Sequence, residues 1–370
     1  MNYNNSKRVF YFVCNTEEFS GSILLLRTLL NGLQHNGHCL RVVLLSGKRQ
    51  GVFKGFDCFY VDEVLGCSKI WISRLLFVRR RLVDLFVAFL IFGSKLKSLK
   101  PVIIYNTITV FPAKAPFFLC SIFKIPHFVW VHESKYLLNL HGVNLTNNVS
   151  NRTNFLFSSQ LVKSDLESFL LKKSHGKLSY IGAGIEMFPK GGTSVRNKIL
   201  ISGYLDWNKG SDLILPLIVM TISRNPSIAY KIVISKRFST AVVNFTNDLE
   251  RLGLKSSNVE IHYEINNIDE VYNDVQLTLI LSRNESLSLV ALESLGRDIP
   301  FLFFNGCGGP EEIVGNVRLF SVPYLDLLAM SDKILDFYSN ELIYKKALST
   351  IDKQMYMPTR LCERFLNEIV

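Results

Sequence analysis

Residues 8–45 read RVFYFVCNTEEFSGSILLLRTLLNGLQHNGHCLRVVLL, and their texture decides the fold class. Residues 8–14 are almost wholly apolar, as a strand buried on both faces requires. A loop containing Ser20-Gly21-Ser22 follows. Ile23, Leu26, Leu30 and Leu33 then recur at helical spacing up to His35, and Gly37 is placed to end that helix. Residues 40–45 form the next strand. Strand, loop, helix and strand open an α/β unit with a parallel, doubly wound sheet.

The same alternation extends outward. Residues 101–105, 127–131 and 154–158 read as strands, and Gln160 to Leu171 as a helix. Near residue 180 the periodicity fades into GAGIEMFPKGGTSVRN at 182–197, a Gly-rich linker. A second alternating run supplies strands at 198–202, 230–234, 258–262, 276–281 and 300–304. A chain of 370 residues is long enough for two domains. The expected division is 1–181, a linker at 182–197, a second domain at 198–355, and a last helix at 356–370 that crosses back to the first domain.

Composition narrows the class. With 48% hydrophobic and 20% charged residues, the chain can fill sizeable cores and is not disordered. Its charge is uneven. Residues 1–180 carry 23 Lys+Arg against 9 Asp+Glu, and residues 181–370 carry 19 against 22. A basic first half implies an anionic partner. Residues 70–100 set Arg74, Arg79, Arg80, Arg81, Lys95, Lys97 and Lys100 around Trp71, Phe77, Phe86, Phe89 and Phe92. Such a helix suits the interface of an anionic membrane, although a core helix with a solvated basic end reads the same way. The longest apolar run, Leu85 to Gly93, is far shorter than the roughly 20 residues of a membrane span. The N-terminus lacks a secretion pattern. Seven widely spaced cysteines without a CxxC read as reduced core thiols. These features point to a cytoplasmic protein, at most peripheral on the inner face of the cell membrane.

The stretch that carries chemistry is SRNESLSLVALESLGRDIPFLFFNGCGGPEEIVG, Ser282 to Gly315. A strand ends in a polar loop, Glu285 opens a helix, and Glu293 follows eight positions on. Eight helical residues rise about 12 Å, so the two carboxylates would grip both ends of an elongated polar ligand. The free N–H groups of the helix start suit a phosphate. Gly306, Gly308 and Gly309 let a second backbone segment come close. This layout fits a nucleotide-sugar.

The E-x7-E spacing, its apolar helix and the later Gly-Gly-x-Glu-Glu-Ile resemble the donor site of retaining GT-B glycosyltransferases of the family 4 type. The resemblance implies two Rossmann-like domains facing a cleft, with Glu285 on the donor sugar and Glu293 on the ribose. Ser286, Leu287 and Ser288 stand where that family has glycines, and their amides would meet the diphosphate. Residues 200–210, LISGYLDWNKG, resemble the opening of the family's second domain and make Lys209 a diphosphate ligand. Tyr204 stands where the family often has Arg. Lys236, Arg237 and Arg283 are the alternatives for that charge. In the first domain, IPHFVWVHE at 125–133 places His132 on the transferred sugar, and Gly21 matches the family's first glycine loop beside the phosphate and acceptor.

The chain has no DxD triplet and no clustered carboxylates with metal-site character, so neither a metal nor another cofactor is expected. The resemblance implies transfer from a UDP-sugar, or less favourably a GDP-sugar, to a lipid-linked saccharide in bacterial surface-polysaccharide assembly such as O-antigen or capsule. Arg79, Arg80 and Arg81 would face the lipid acceptor and the membrane. A non-enzymatic basic membrane-binding protein and a nucleotide-sugar epimerase of the same fold are the alternatives. A nicotinamide dehydrogenase is weaker, because the first strand–helix turn lacks GxGxxG. Nucleic acid is not an expected partner.

Overall fold

The computed structural model describes residues 8–17, 20–45, 51–61, 85, 88–90, 93, 100–108, 123–140, 149, 151–170, 175–186, 196–234, 239–254, 258–263, 267–315 and 317–369. They fall into two compact units. One comprises Met1–Gly184 with Tyr356–Val370, the other Ile185–Met355.

The first unit contains a parallel sheet of β1 (Arg8–Cys14), β2 (Cys39–Leu44), β3 (Asp57–Tyr60), β4 (Lys100–Asn106), β5 (His127–Val131), β6 (Asn154–Phe157) and β7 (Leu178–Tyr180) in the order β3-β2-β1-β4-β5-β6-β7. The central strands are buried on both faces, which explains why they read as unbroken apolar runs. Val9, Tyr11, Ile103, Val129, Phe155 and Leu166 share one core cluster.

The last helix, Pro358–Ile369, packs in this first unit. Phe365 sits against Phe10 and Phe12, ring centroids 5.8 and 6.0 Å apart. Burying that ring alone contributes about 1.5–3 kcal/mol. Arg8 donates to the Ile369 carbonyl at 2.7 Å, and Ser179 to Glu368 at 2.6 Å.

The second unit repeats the plan with β8 (Lys198–Gly203), β9 (Ala229–Ile234), β10 (Val259–Tyr263), β11 (Val275–Ile280), β12 (Phe301–Phe304) and β13 (Ser321–Val322) in the order β10-β9-β8-β11-β12-β13. Every pairing in both sheets is parallel. The order reverses between β1 and β4 in one unit and between β8 and β11 in the other. Crevices beyond the strand ends at such reversals are where doubly wound sheets bind ligands.

Arg79, Arg80 and Arg81, expected at a membrane, lie outside the described residues, as do Lys236 and Arg237. Among the described residues, no helix is long and apolar enough to cross a membrane.

Candidate active site

At the β8/β11 reversal three loops are laced together. They follow β8 (203–210), β11 (281–288) and β12 (305–309). The Arg283 amide donates to the Asn208 carbonyl at 2.7 Å, and the Asn208 side chain donates to the Asn284 carbonyl at 3.1 Å. Glu285 bonds across to the third loop, its N–H to the Cys307 carbonyl at 2.7 Å and its carbonyl to the Gly309 N–H at 2.8 Å. Glycine is required at two crossings. A Cβ on Gly309 would overlap the Leu287 backbone, and one on Gly210, whose φ is +70°, would overlap the Leu281 carbonyl.

This lacing corrects one expectation. Glu285 does not open the helix, because its backbone is engaged by the 305–309 loop. The helix runs Leu289–Gly296, so the spacing from Glu285 to Glu293 is part loop and part helix. Ser288 precedes it at φ +67°, and its side chain accepts from the Ala291 N–H. The resembled family has glycines near this point, and the left-handed backbone that glycine favours persists here on a serine. Among the described residues, the backbone amides of Ser286, Leu287 and Ser288 make no hydrogen bond. Three open N–H groups beside a helix start suit an anion.

The carboxylates differ in surroundings. Glu285 is buried, and its Oε1 accepts from Lys209 Nζ and Ser282 Oγ, each at 2.6 Å. Burial presses the Lys209 amine downward, but the Glu285 carboxylate, with Asp206 beyond it, outweighs burial and holds the amine above the ordinary lysine value. Lys209 therefore stays charged. Its ammonium carries three donors, and the Glu285 bond uses one.

Glu293 is half-buried and forms no ion pair among the described residues. Its Oε2 accepts from the Tyr272 hydroxyl at 3.1 Å. Burial pushes its carboxyl up to about 7, against opposing pulls from the Tyr272 hydroxyl and the Arg297 charge. The Arg297 guanidinium instead bonds Asp269 at 3.0 Å and the Glu293 carbonyl at 3.2 Å. A desolvated carboxylate without a counter-charge costs stability. Such a group is a functional candidate on physical grounds.

Arg283, one of the alternatives for the diphosphate charge, is committed elsewhere. Its guanidinium forks onto Asp212 at 2.8 Å for both bonds and lies 4.4 Å from the Trp207 ring centroid. It braces the 203–210 loop. That pairing spans 71 residues, and no local sequence signal announces it. Tyr272 also escaped the sequence, where it stands between Val271 and Asn273 in no recognisable motif.

In the first unit, His132 follows β5. Its Nε2 lies 3.0 Å from Asn106 Oδ1 and its Nδ1 3.4 Å from Ser158 Oγ. The amide oxygen only accepts, so Nε2 carries the proton and Nδ1 accepts from the serine. Burial drives the imidazole down to about 3, so His132 is neutral near pH 7. The buried Glu133 carboxylate accepts the His132 N–H at 3.0 Å and fixes the turn that presents the ring. Gly21 begins the helix Gly21–His35, and Asn106 reaches the neighbouring Ser22 carbonyl at 3.5 Å. His132, Asn106 and Gly21 thus gather at the β1/β4 reversal. Among the described residues, no group of three or more His, Cys, Asp or Glu could hold a metal ion.

Residues 186–355 match the family described as Glycosyl transferases group 1. None of the curated proteins matches the sequence. Solved structures share the fold over nearly the whole chain. HepE of Anabaena, in complex with UDP and glucose, is 14% identical with a TM-score of 0.74, covering 98% of this chain and 99% of its own. The pneumococcal O-GlcNAc transferase GtfA, in complex with UDP and GlcNAc, is 10% identical with a TM-score of 0.73, covering 99% of each. A glycosyltransferase from Rickettsia africae is 14% identical with a TM-score of 0.70, covering 99% and 98%. At these identities the structures establish the GT-B fold, and the domain match establishes the class of enzyme. The chain is a glycosyltransferase.

Proposed function

We propose that the enzyme moves a sugar, with retention of anomeric configuration, from a UDP-sugar to a saccharide acceptor carried on a lipid, in the assembly of a bacterial surface polysaccharide such as O-antigen or capsule. The family 4 resemblance supports retention. The observation that carries the donor assignment is the pair Glu285 and Glu293 on either side of the open amides of Ser286, Leu287 and Ser288. UDP is favoured over GDP because two similar folds were solved with UDP bound.

In this reading Glu285 accepts from hydroxyls of the transferred sugar and Glu293 from the ribose. Lys209 and the open amides meet the diphosphate. As the glycosidic bond breaks, negative charge grows on the leaving phosphate, and a fixed ammonium and oriented N–H groups stabilise it without reorganising. The acceptor hydroxyl attacks from the face the nucleotide leaves, through an oxocarbenium-like state. His132 is neutral with both ring nitrogens bonded, to Asn106 and Ser158, so in this reading it reaches the sugar by exchanging the longer Ser158 bond, and not as a cation. The protein contributes mainly orientation and charge stabilisation, and no metal is assigned.

The basic first half, with Arg79, Arg80 and Arg81, would draw the enzyme to an anionic membrane and the lipid-linked acceptor. Each cation near such a surface contributes about 1 kcal/mol. Replacing all three with Ser should therefore cut binding to anionic vesicles about 100-fold, and unchanged sedimentation with vesicles removes the segment as the anchor. The donor reading is tested by a thermal-shift screen against UDP, GDP, CMP and their common sugar conjugates, with and without EDTA. A ligand that binds the folded state raises its melting temperature. A selective rise with uridine nucleotides that survives EDTA is expected. No rise with any nucleotide contradicts the reading.

A further inference from the structure

Tyr272 closes the short helix Ile268–Tyr272, and its side chain is almost fully buried. Its hydroxyl lies 3.1 Å from Glu293 Oε2 and 3.4 Å from the Val290 carbonyl. The single proton goes to the carboxylate, the stronger and nearer acceptor. The Arg297 guanidinium stands 4.7 Å from the Tyr272 ring centroid, and its hydrogen bonds go to Asp269 and the Glu293 carbonyl. Arg297 therefore holds the ring in place without neutralising the Glu293 carboxylate at contact.

The surroundings of Glu293 can be named element by element. Helix Ile268–Tyr272 offers the Tyr272 hydroxyl and Asp269, the latter answered by Arg297. Its own helix ends in Arg297 and carries Ser294, whose hydroxyl lies 2.8 Å from the Val290 carbonyl and 2.9 Å from Thr278 Oγ1 on β11. Among the described residues, the Glu293 carboxylate has one hydrogen-bond donor, the Tyr272 hydroxyl, on Oε2. Among those residues, Oε1 makes no hydrogen bond.

We propose that Tyr272 is a positioning residue for the nucleotide end of the donor site: its hydroxyl pins Glu293 Oε2 and leaves Oε1 to accept from the ribose hydroxyls of a nucleoside diphosphate sugar. The proposal rests on the donor reading above. A phenol at this spot solves a specific problem. A forked arginine would occupy both carboxylate oxygens and compete with the ribose, whereas a neutral hydroxyl fixes one oxygen and leaves the other open. The same hydroxyl bears on the protonation of Glu293, because it bonds the ionised form. Without it the proton is held more tightly and competes with the ribose near neutral pH.

The test is Tyr272→Phe, which keeps the ring under Arg297 and removes one oxygen. UDP-glucose is titrated by calorimetry between pH 6 and 8.5, a range in which its doubly esterified diphosphate keeps one charge state. Wild-type affinity should rise with pH and level off above about 7. In the variant that rise should move to higher pH, leaving affinity about three- to tenfold lower at pH 7 and mostly restored at pH 8.5. Superimposable pH curves overturn the proposal. A second readout needs no ligand: the 13C carboxyl resonance that vanishes in Glu293→Gln is titrated in both proteins. Its midpoint should be higher in Tyr272→Phe, and equal midpoints overturn the coupling. If wild type binds no UDP-glucose while the midpoint still moves, the donor reading fails and takes the ribose assignment with it, with the Tyr272–Glu293 coupling left standing.

Discussion

Glu285 and Glu293 lie eight residues apart on one loop–helix segment and meet opposite surroundings. At Glu285 the charge is answered twice on one oxygen, by Lys209 and by Ser282, and the backbone is tied to the 305–309 loop on both sides. At Glu293, among the described residues, one phenol serves one oxygen, and the Arg297 guanidinium bonds Asp269 and the Glu293 carbonyl instead of the carboxylate. The first end is built rigid before any ligand arrives. The second carries an unbalanced charge that a ligand's hydroxyls would relieve. That contrast matches the two tasks of a transferase donor site. The reacting sugar needs fixed geometry, and the nucleotide handle needs affinity.

Removing the answered charge should have the largest effect. Glu285→Gln takes away the partner of Lys209 and should lower the rate of nucleotide release from UDP-glucose about 100- to 1000-fold, read from initial rates on protein with wild-type circular dichroism. A loss below tenfold would place Glu285 outside the reaction centre.

Gly309→Ala attacks the lacing that holds Glu285. The new methyl overlaps the Leu287 backbone, and such overpacking costs about 1–3 kcal/mol. The melting temperature should fall and the rate with it. An unchanged melting temperature would mean that the 305–309 loop yields freely.

Glu293→Gln probes the unanswered charge through stability. The native carboxyl near 7 lies above its ordinary 4.5, so the folded state holds the proton more tightly than the unfolded chain. Its contribution is full below about pH 4.5 and is lost as the pH rises to about 7. Glutamine removes that loss, so the ligand-free variant should be more stable than wild type at pH 8, by about 1–2 kcal/mol, and should lose the advantage at pH 5. Equal melting curves at pH 8 would show that water already answers the charge.

The smallest effect is expected between the two carboxylates. Ser288→Gly relieves a left-handed serine at about 1 kcal/mol and gives up a weak cap worth a few tenths. Net stability should rise by about 0.5 kcal/mol in denaturant titration, and a clear loss would make the Ser288 hydroxyl more important than its 3.4 Å contact suggests.

Much of this was legible in the sequence. Strands buried on both faces announce themselves as apolar runs, and the expected strand at 127–131 coincides with β5. The strands that escaped, β3, β7 and β13, have four, three and two residues, too few for periodicity to register. Within the site, the carboxylates at 285 and 293 were readable because their spacing is local, and Lys209 because residues 200–210 resemble the opening of the family's second domain. The start of the helix was not, since nothing in Glu285-Ser286-Leu287-Ser288 reveals that serine takes a left-handed turn. The Arg283–Asp212 fork and the Tyr272–Glu293 bond join residues distant in sequence, and a single chain carries no signal of such pairings. The non-enzymatic alternative lost ground to the glycosyltransferase domain match over 186–355.

In the proposed reading Glu285 and Glu293 bracket a nucleotide-sugar. Calorimetric titration of UDP-glucose, in EDTA at pH 8, into wild type and Glu293→Gln tests it most directly. Saturable binding to wild type is predicted, about tenfold weaker in the variant, as losing a charged acceptor of two hydroxyls implies. Equal affinities, or no binding to a folded wild-type protein, would contradict it.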